Sequence, residues 1–377
     1  MIYKDFQDLK LSALGMGCMR LPVVGGNDAV VDEAAAEEMV DCAMANGVNY
    51  YDTAWGYHNG NSEIALGKAL AKHPREKFYI ADKFPGYDLS NMPKVQEIFE
   101  EQLKKCRVDY FDFYLFHNVC EMNIDAYLDP KYGTYDYLMA QKKNGRIRHL
   151  GFSAHGDYDV MKRFLEAYGK DMEFCQIQLN YLDWEFQDAK GKVALCRAHG
   201  LPVWVMEPVR GGYLATIDEQ RAKPFLEMEP NRSIASWAVR WVASLPQVAV
   251  VLSGMSDEQQ LEDNVATMTN FEPMNEQELQ AVAKVVEEIR KVNEIPCTGC
   301  RYCMDCPMGV DIPEIFAIYS RYKIFEKEKS FVDDYKAVVE HGNGAEHCVR
   351  CMACTTKCPQ MIAIPDKLEM IAKLYEE

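Results

Sequence analysis

Between residues 297 and 358 the chain gathers eight of its fourteen cysteines into two tight runs, and nothing else in the sequence restricts its folding so severely. The first run is Cys297-x₂-Cys300-x₂-Cys303-x₂-Cys306-Pro307, and the second is Cys348-x₂-Cys351-x₂-Cys354-x₃-Cys358-Pro359. Three thiolates at x₂ spacing wrap one iron–sulfur cube, and the fourth cysteine, before proline, reaches across to the other cube. The pattern predicts two [4Fe–4S] clusters, one on Cys297, Cys300, Cys303 and Cys358, the other on Cys348, Cys351, Cys354 and Cys306. Both sites close only when the two runs pack together. The x₂ gap before Cys306 departs from the usual x₃. A zinc reading needs two pairs separated by a loop and leaves the unbroken quartet of short spacings unexplained.

The remaining cysteines, Cys18, Cys42, Cys106, Cys120, Cys175 and Cys196, are scattered and read as inert buried thiols. In a chain of 377 residues whose first residues form no apolar leader, this usage points to a reducing compartment, and the expected location is the cytoplasm. A net charge of −17 repels phosphate backbones, so nucleic acid is not an expected partner. No stretch approaches the roughly 20 apolar residues that span a bilayer, so no membrane association is expected either.

Through the first 270 or so residues, short apolar runs alternate with segments of helical period, the pattern of repeated βα units. The runs are 14–21, 48–52, 78–83, 111–117, 149–153, 174–179, 203–206 and 248–253. Eight βα units close into a (β/α)₈ TIM barrel, an α/β fold whose active site lies at the carboxyl ends of the strands. A doubly wound open sheet is the alternative, but no Gly-x-Gly-x-x-Gly follows the first run. The expected helices include 33–46, and 62–72 with Ser62 as its N-cap. A further helix begins after Asn275, with Leu279, Val282, Val286 and Ile289 on its apolar stripe. Helices 312–325 and 330–340 lie between the cysteine runs, the first with Ile315, Tyr319 and Tyr322 on one face. The expected organisation is a barrel over 1–274, a linker helix over 275–292, and a mostly helical ferredoxin-like domain over 293–377.

Three apolar runs end on a titratable group: Asp52, Lys83 and His117. Alone, Asp52 reads as a cap, Lys83 as a surface charge and His117 as a satisfied core histidine. Together, on successive strand ends, they sit where barrel chemistry is done. Tyr57 follows five residues after Asp52.

Gly47-Val48-Asn49-Tyr50-Tyr51-Asp52-Thr53-Ala54-Trp55-Gly56-Tyr57, with Ser62-Glu63 and Leu66-Gly67-Lys68-Ala69-Leu70, resembles the aldo-keto reductase signature. The likeness continues through Lys83, 112–117, 148–153, Glu207-Pro208, Gly211-Gly212, 253–255 and Asn264. With its appended cysteines the chain resembles the subgroup carrying a C-terminal ferredoxin-like domain. The resemblance implies a catalytic tetrad of Asp52, Tyr57, Lys83 and His117, in which Tyr57 protonates the alkoxide left by hydride transfer. Lys83 would lower the tyrosine's pKa, Asp52 would hold Lys83, and His117 would donate to the carbonyl oxygen. It places the nicotinamide cofactor, NAD(P)H, on Ser153, Gln176 and Met206, and its pyrophosphate and adenosine on Pro208, Val209, Gly211, Gly212, Ser253, Gly254, Met255, Gln260 and Asn264. Trp55, His58, Phe84, Asn118 and His155 are expected around a small carbonyl substrate.

NADP-specific relatives grip the 2′-phosphate with Lys or Arg after the eighth strand. Residues 253–264 contain neither, and Gln260 stands among Asp257, Glu258, Glu262 and Asp263. NAD(H) and NADP(H) both stay open. A hydride carries two electrons whereas a cube moves one, so the clusters exchange with the cofactor only through an intermediary. The leading expectation is a carbonyl reductase with a redox appendage. The alternative is an electron-transfer enzyme linking a ferredoxin-type partner to a flavin or substrate in the barrel. A non-catalytic redox sensor is a third class, which the presence of Tyr57 with Lys83 argues against.

Overall fold

The computed structural model describes residues 1–291, 295–325 and 328–376. Among the described residues ten strands are formed: β1 (Tyr3–Phe6), β2 (Leu9–Ser12), β3 (Leu14–Gly17), β4 (Tyr50–Asp52), β5 (Tyr79–Phe84), β6 (Phe111–Val119), β7 (Ile147–Ala154), β8 (Cys175–Gln178), β9 (Val203–Met206) and β10 (Val248–Ser253). Strands β3 to β10 form a closed parallel barrel in which β10 pairs with β3. The eight apolar runs thus supply the eight barrel strands. The first is shorter than expected, because the chain turns into a 3-10 helix at Cys18–Arg20.

The barrel's amino-terminal end is filled by aromatic rings. Tyr50, Phe113, Phe174 and Trp204 form one buried cluster, to which β1 and β2 add Phe6 and Leu11. These two strands make an antiparallel hairpin that the sequence reading did not anticipate, turning at Gln7-Asp8 with Gln7 at φ 53°. The Phe6 ring lies 5.1 Å from both Trp204 and His149. The hairpin is therefore a plug that keeps water from one end of the barrel, leaving the carboxyl end for chemistry.

Helix α1 (Glu33–Ala45) is capped by Asp32, whose carboxylate accepts from the Ala35 N–H. Helix α2 (Asn61–Leu70) starts at a left-handed Gly60, so the expected Ser62 cap is corrected. Ser62 is one residue inside the helix and fully buried, where its hydroxyl meets Thr53 Oγ1 at 2.9 Å and donates to Cys18 O at 2.8 Å. Helix α3 (Val95–Cys106) packs beside α2.

Cα packing divides the chain into two compact units: Met1–Val209 with Ala235–Asn275, and Arg210–Ile234 with Glu276–Glu377. Segment Arg210–Ile234, read from sequence as barrel, groups with the C-terminal unit. Here helix Glu276–Arg290 buries Ala281, Val282, Val285 and Ile289 and leaves Leu279 exposed, so the apolar stripe lies off the expected face. Val292 lies outside the described residues. Helices Ile312–Phe325, Glu328–Glu340 and Ile364–Glu376 surround a core of Ile315, Phe316, Tyr319, Phe331, Tyr335 and Ile371. Among the described residues, no helix is long and apolar enough to cross a membrane.

Candidate active site

Asp52, Lys83 and His117 stand at the carboxyl ends of the adjacent strands β4, β5 and β6, where the pleat turns alternate side chains into the barrel. Lys83 has no solvent exposure, and a buried ammonium must be paired. Its Nζ donates to Asp52 Oδ1 at 2.5 Å and to Thr53 O at 2.7 Å, and lies 3.5 Å from the Tyr57 hydroxyl. Burial raises the Asp52 carboxyl above its usual range, and the Lys83 ammonium opposes that shift. The ring of His117 meets Tyr57 edge-on at 6.0 Å. Burial, and then Lys83, holds its imidazole well below the ordinary histidine range, so the ring is neutral.

The expected acidification of Tyr57 by Lys83 is corrected. Burial raises the phenol well above 10, and Asp52 is the next cause. The physical reason is that the Lys83 charge is already matched by Asp52 and the Thr53 carbonyl. Tyr57 is consequently a firmly protonated acid, and a base as strong as an alkoxide can still take its proton.

The loop bearing Tyr57 is tightly specified. His58, Asn59 and Gly60 all have left-handed φ, at 51°, 53° and 86°. The His58 ring donates from Nδ1 to Asp28 O (2.8 Å) and accepts at Nε2 from Leu21 N–H (3.1 Å). Both nitrogens serve the backbone, so His58 is a strut and not the expected substrate contact. Phe84 is corrected as well: it is fully buried and packs on Tyr127 at 6.3 Å, in the layer of helices around the barrel. Trp55 is half-buried on the loop. His155 is half-buried, and its pKa is pushed down to about 3 by desolvation, then by Lys192 and Lys83. Tyr87, on the loop after β5, was missed from sequence; its ring meets His117 edge-on at 5.2 Å, and the Pro85-Gly86 turn just before it was the available signal.

Ser153 and Gln176 are neighbours across β7 and β8. Ser153 Oγ accepts from Asn118 N–H at 2.8 Å, and Gln176 Nε2 lies 3.8 Å from Met206 Sδ. Gln176 Oε1 and Asn118 Oδ1 are buried and meet no donor among the described residues. An NH₂-bearing ring laid on Met206 would satisfy such acceptors. Around β10, Ser253 Oγ accepts from Asn264 Nδ2 at 3.0 Å, Gly254 abuts the Arg20 stem, and Met255 is buried. Asp257 caps helix Glu258–Thr269 and also binds Gln260, whose Nε2 donates to Asp257 Oδ2 at 2.7 Å. Pro208 and Val209 end the barrel unit, whereas Gly211 and Gly212, with left-handed φ of 65° and 94°, belong to the second unit.

Residues 13–287, most of the chain, match the family described as Aldo/keto reductase family. The chain belongs to that family. This aldo/keto reductase is 25% identical over 307 residues to the NADH-specific methylglyoxal reductase of Escherichia coli, a match covering 69% of this chain and 91% of the relative. It is also 25% identical to L-galactose dehydrogenase of Arabidopsis thaliana, over 75% of this chain and 93% of that one. Among solved structures, aldo-keto reductase AKR11C1 of Bacillus halodurans, in its holo form, superposes with a TM-score of 0.62 at 26% identity, covering 76% of this chain and 96% of that one. An aldo-keto reductase of Klebsiella pneumoniae in complex with NADPH shares the fold at 18% identity, with a TM-score of 0.60.

In the reductase's second unit, Cys297, Cys300, Cys303 and Cys358 line one cavity, and Cys306, Cys348, Cys351 and Cys354 line another. Ile312 lines both. Burial, and then Cys300, Cys297 and Cys358, push the Cys303 thiol up. Thiols crowded this way oppose each other's ionisation unless cationic iron sits among them. Among the described residues no three His, Cys, Asp or Glu groups close on a point that could hold one metal ion. Residues 296–364 match the 4Fe-4S dicluster domain. This aldo/keto reductase therefore carries an appended iron–sulfur domain.

Proposed function

We propose that this oxidoreductase reduces a small carbonyl compound, with Tyr57 delivering the proton. The carrying observation is the Tyr57 hydroxyl 3.5 Å from the buried Lys83 Nζ, at the strand ends that also hold Asp52 and His117. A bound nicotinamide supplies the hydride. Lys83, fixed by Asp52, holds the phenol in place. The neutral His117 ring donates to the carbonyl oxygen and stabilises charge as it develops. Tyr57 gives its proton to the alkoxide.

Ser153, Asn118, Gln176 and Met206 would hold the nicotinamide, so Asn118 moves from the substrate group to the cofactor group. The reading favours NADH over NADPH. Gln260 is tied to the Asp257 carboxylate, and Glu258, Glu262 and Asp263 add negative charge where a 2′-phosphate would need a cation. The NADH-specific E. coli relative supports this choice. The two rings of four thiols would each hold a [4Fe–4S] cube, whose chemistry is one-electron transfer. Trp55 and His155 are the proposed substrate contacts.

The test is Tyr57→Phe. NADH should still bind, and aldehyde turnover should fall by about 10² to 10⁴, the usual worth of a positioned acid. Turnover near wild type removes Tyr57 from this role.

A further inference from the structure

We infer that Lys105 is a positioning residue for the loop that carries Tyr57, acting from the helical layer through Trp55. The inference rests on the proposed role of Tyr57.

After Asp52 the chain leaves β4, turns, and must bring the Tyr57 hydroxyl back to Lys83. Three successive left-handed residues, His58, Asn59 and Gly60, make the turn possible, and two of them carry side chains that disfavour it. Such backbone persists only where its surroundings over-determine it. Thr53 is held by Lys83, and His58 by the backbone of Leu21 and Asp28. A further hold is needed on the stretch just before the acid.

Lys105 provides it. Its Nζ lies 3.9 Å from the centroid of the Trp55 ring, a cation against an aromatic face, two residues before Tyr57. On the other side of the turn, a Cβ at Gly60 would lie 3.4 Å from the same nitrogen and 3.5 Å from Trp55 O. The ammonium thus sits between the two flanks of the Tyr57 turn.

The ammonium is itself fixed. Its Nζ pairs with Glu63 Oε2 at 2.8 Å, and the Glu63 side chain is fully buried in α2. Glu63 Oε1 accepts from Gln102 Nε2 at 3.1 Å, which also reaches Asp82 Oδ1 at 2.8 Å and Lys83 O at 3.0 Å. One amide therefore links the Lys105 support to the backbone of Lys83. The backbone of α3 is held close to α2 because Gly67 has no side chain: a Cβ there would lie 2.7 and 2.8 Å from the carbonyl carbon and Cα of Cys106. Both partners of the reacting pair, Tyr57 and Lys83, are referred to one platform on α2 and α3.

The experiment compares Glu63→Gln/Lys105→Met with Lys105→Arg in the full-length protein. The double variant removes the cation without leaving Glu63 as a buried carboxylate alone. Near-ultraviolet circular dichroism, differenced against Trp55→Phe, reads the indole's surroundings, and steady-state aldehyde reduction gives kcat and KM. The double variant should lose the Trp55 signal, with kcat down about ten- to a hundredfold, and Lys105→Arg should recover both readouts. A double variant that keeps the Trp55 signal and wild-type kcat, whatever its Tm, overturns the inference. So does a Lys105→Arg protein that folds but recovers neither. If Tyr57→Phe shows that the acid lies elsewhere, the Trp55 signal still reports whether Lys105 fixes this loop, so the two failures are separable.

Discussion

At position 83 a fully buried ammonium touches a carboxylate, a backbone carbonyl and a phenol. Removing one member of a buried pair strands the other charge, which costs about 3–5 kcal/mol. Asp52→Ala should lose stability of that order in urea unfolding, and a loss under 1 kcal/mol would mean that water reaches Lys83. A second charge cluster gives a pH signature. Burial pushes the Glu173 carboxyl up, but bonds from His149, Lys142 and Gln7 outweigh it and bring the group down to about 2. Because the folded-state value is depressed, its stabilisation is complete above pH about 4.5 and is lost as pH falls through about 2. Glu173→Gln should therefore unfold more easily than wild type at neutral pH, with the gap in Tm closing across that window. Asp52, Lys83 and His117 were legible because each ends an apolar run, and Tyr57 because it lies in the stretch that resembles the family signature. The roles of His58 and Phe84 were not, since a ring's partners depend on the pleat and on loops distant in sequence. The acidity of Tyr57 was misjudged because Asp52 matches the lysine charge that was counted on.

Hairpin β1–β2 shows how one element closes a barrel it does not belong to. Phe6 lies 5% exposed among Phe113, His149, Phe174 and Trp204. Truncating a buried ring leaves a cavity, so Phe6→Ala should cost about 3–5 kcal/mol. Aldehyde turnover below the melting transition should stay near wild type, because the plug lies at the end opposite Tyr57; a turnover that falls in step with stability would contradict that separation. The β8 end is packed as closely: a Cβ at Gly151 would meet Phe174 O at 2.6 Å, backbone that cannot swing aside. The hairpin escaped the sequence reading because Tyr3–Phe6 and Leu9–Ser12 are short and only partly apolar. The barrel strands were legible because burial on both faces makes them nearly continuous apolar runs. At β10 and its helix, titration should give NADH a lower Kd than NADPH; equal affinity would show that some other cation grips the phosphate.

The molecule joins two chemistries read from different signals, one from strand ends and one from cysteine spacing. The spacing set the expectation of which thiols line each cavity, since in two-cluster motifs the cysteine before proline serves the other cluster. The assignment of Arg210–Ile234 to the second unit carried no such signal. If each ring holds a cube, Cys306→Ser should disturb the site of Cys348, Cys351 and Cys354, and Cys358→Ser that of Cys297, Cys300 and Cys303. Anaerobic protein should contain about eight irons, each variant should fall toward about four, and spectra should show opposite survivors. Losing the same centre in both variants would rule out the crossed arrangement. The crossing also has a consequence for biogenesis. The first cavity borrows Cys358, 52 positions downstream of its neighbouring ligand run's last member Cys306. If the crossed ligand sets hold, a ribosome would have to pass residue 358 before one centre could be installed and residue 354 before the other, so a product stopped between the two cysteine runs would be left with neither.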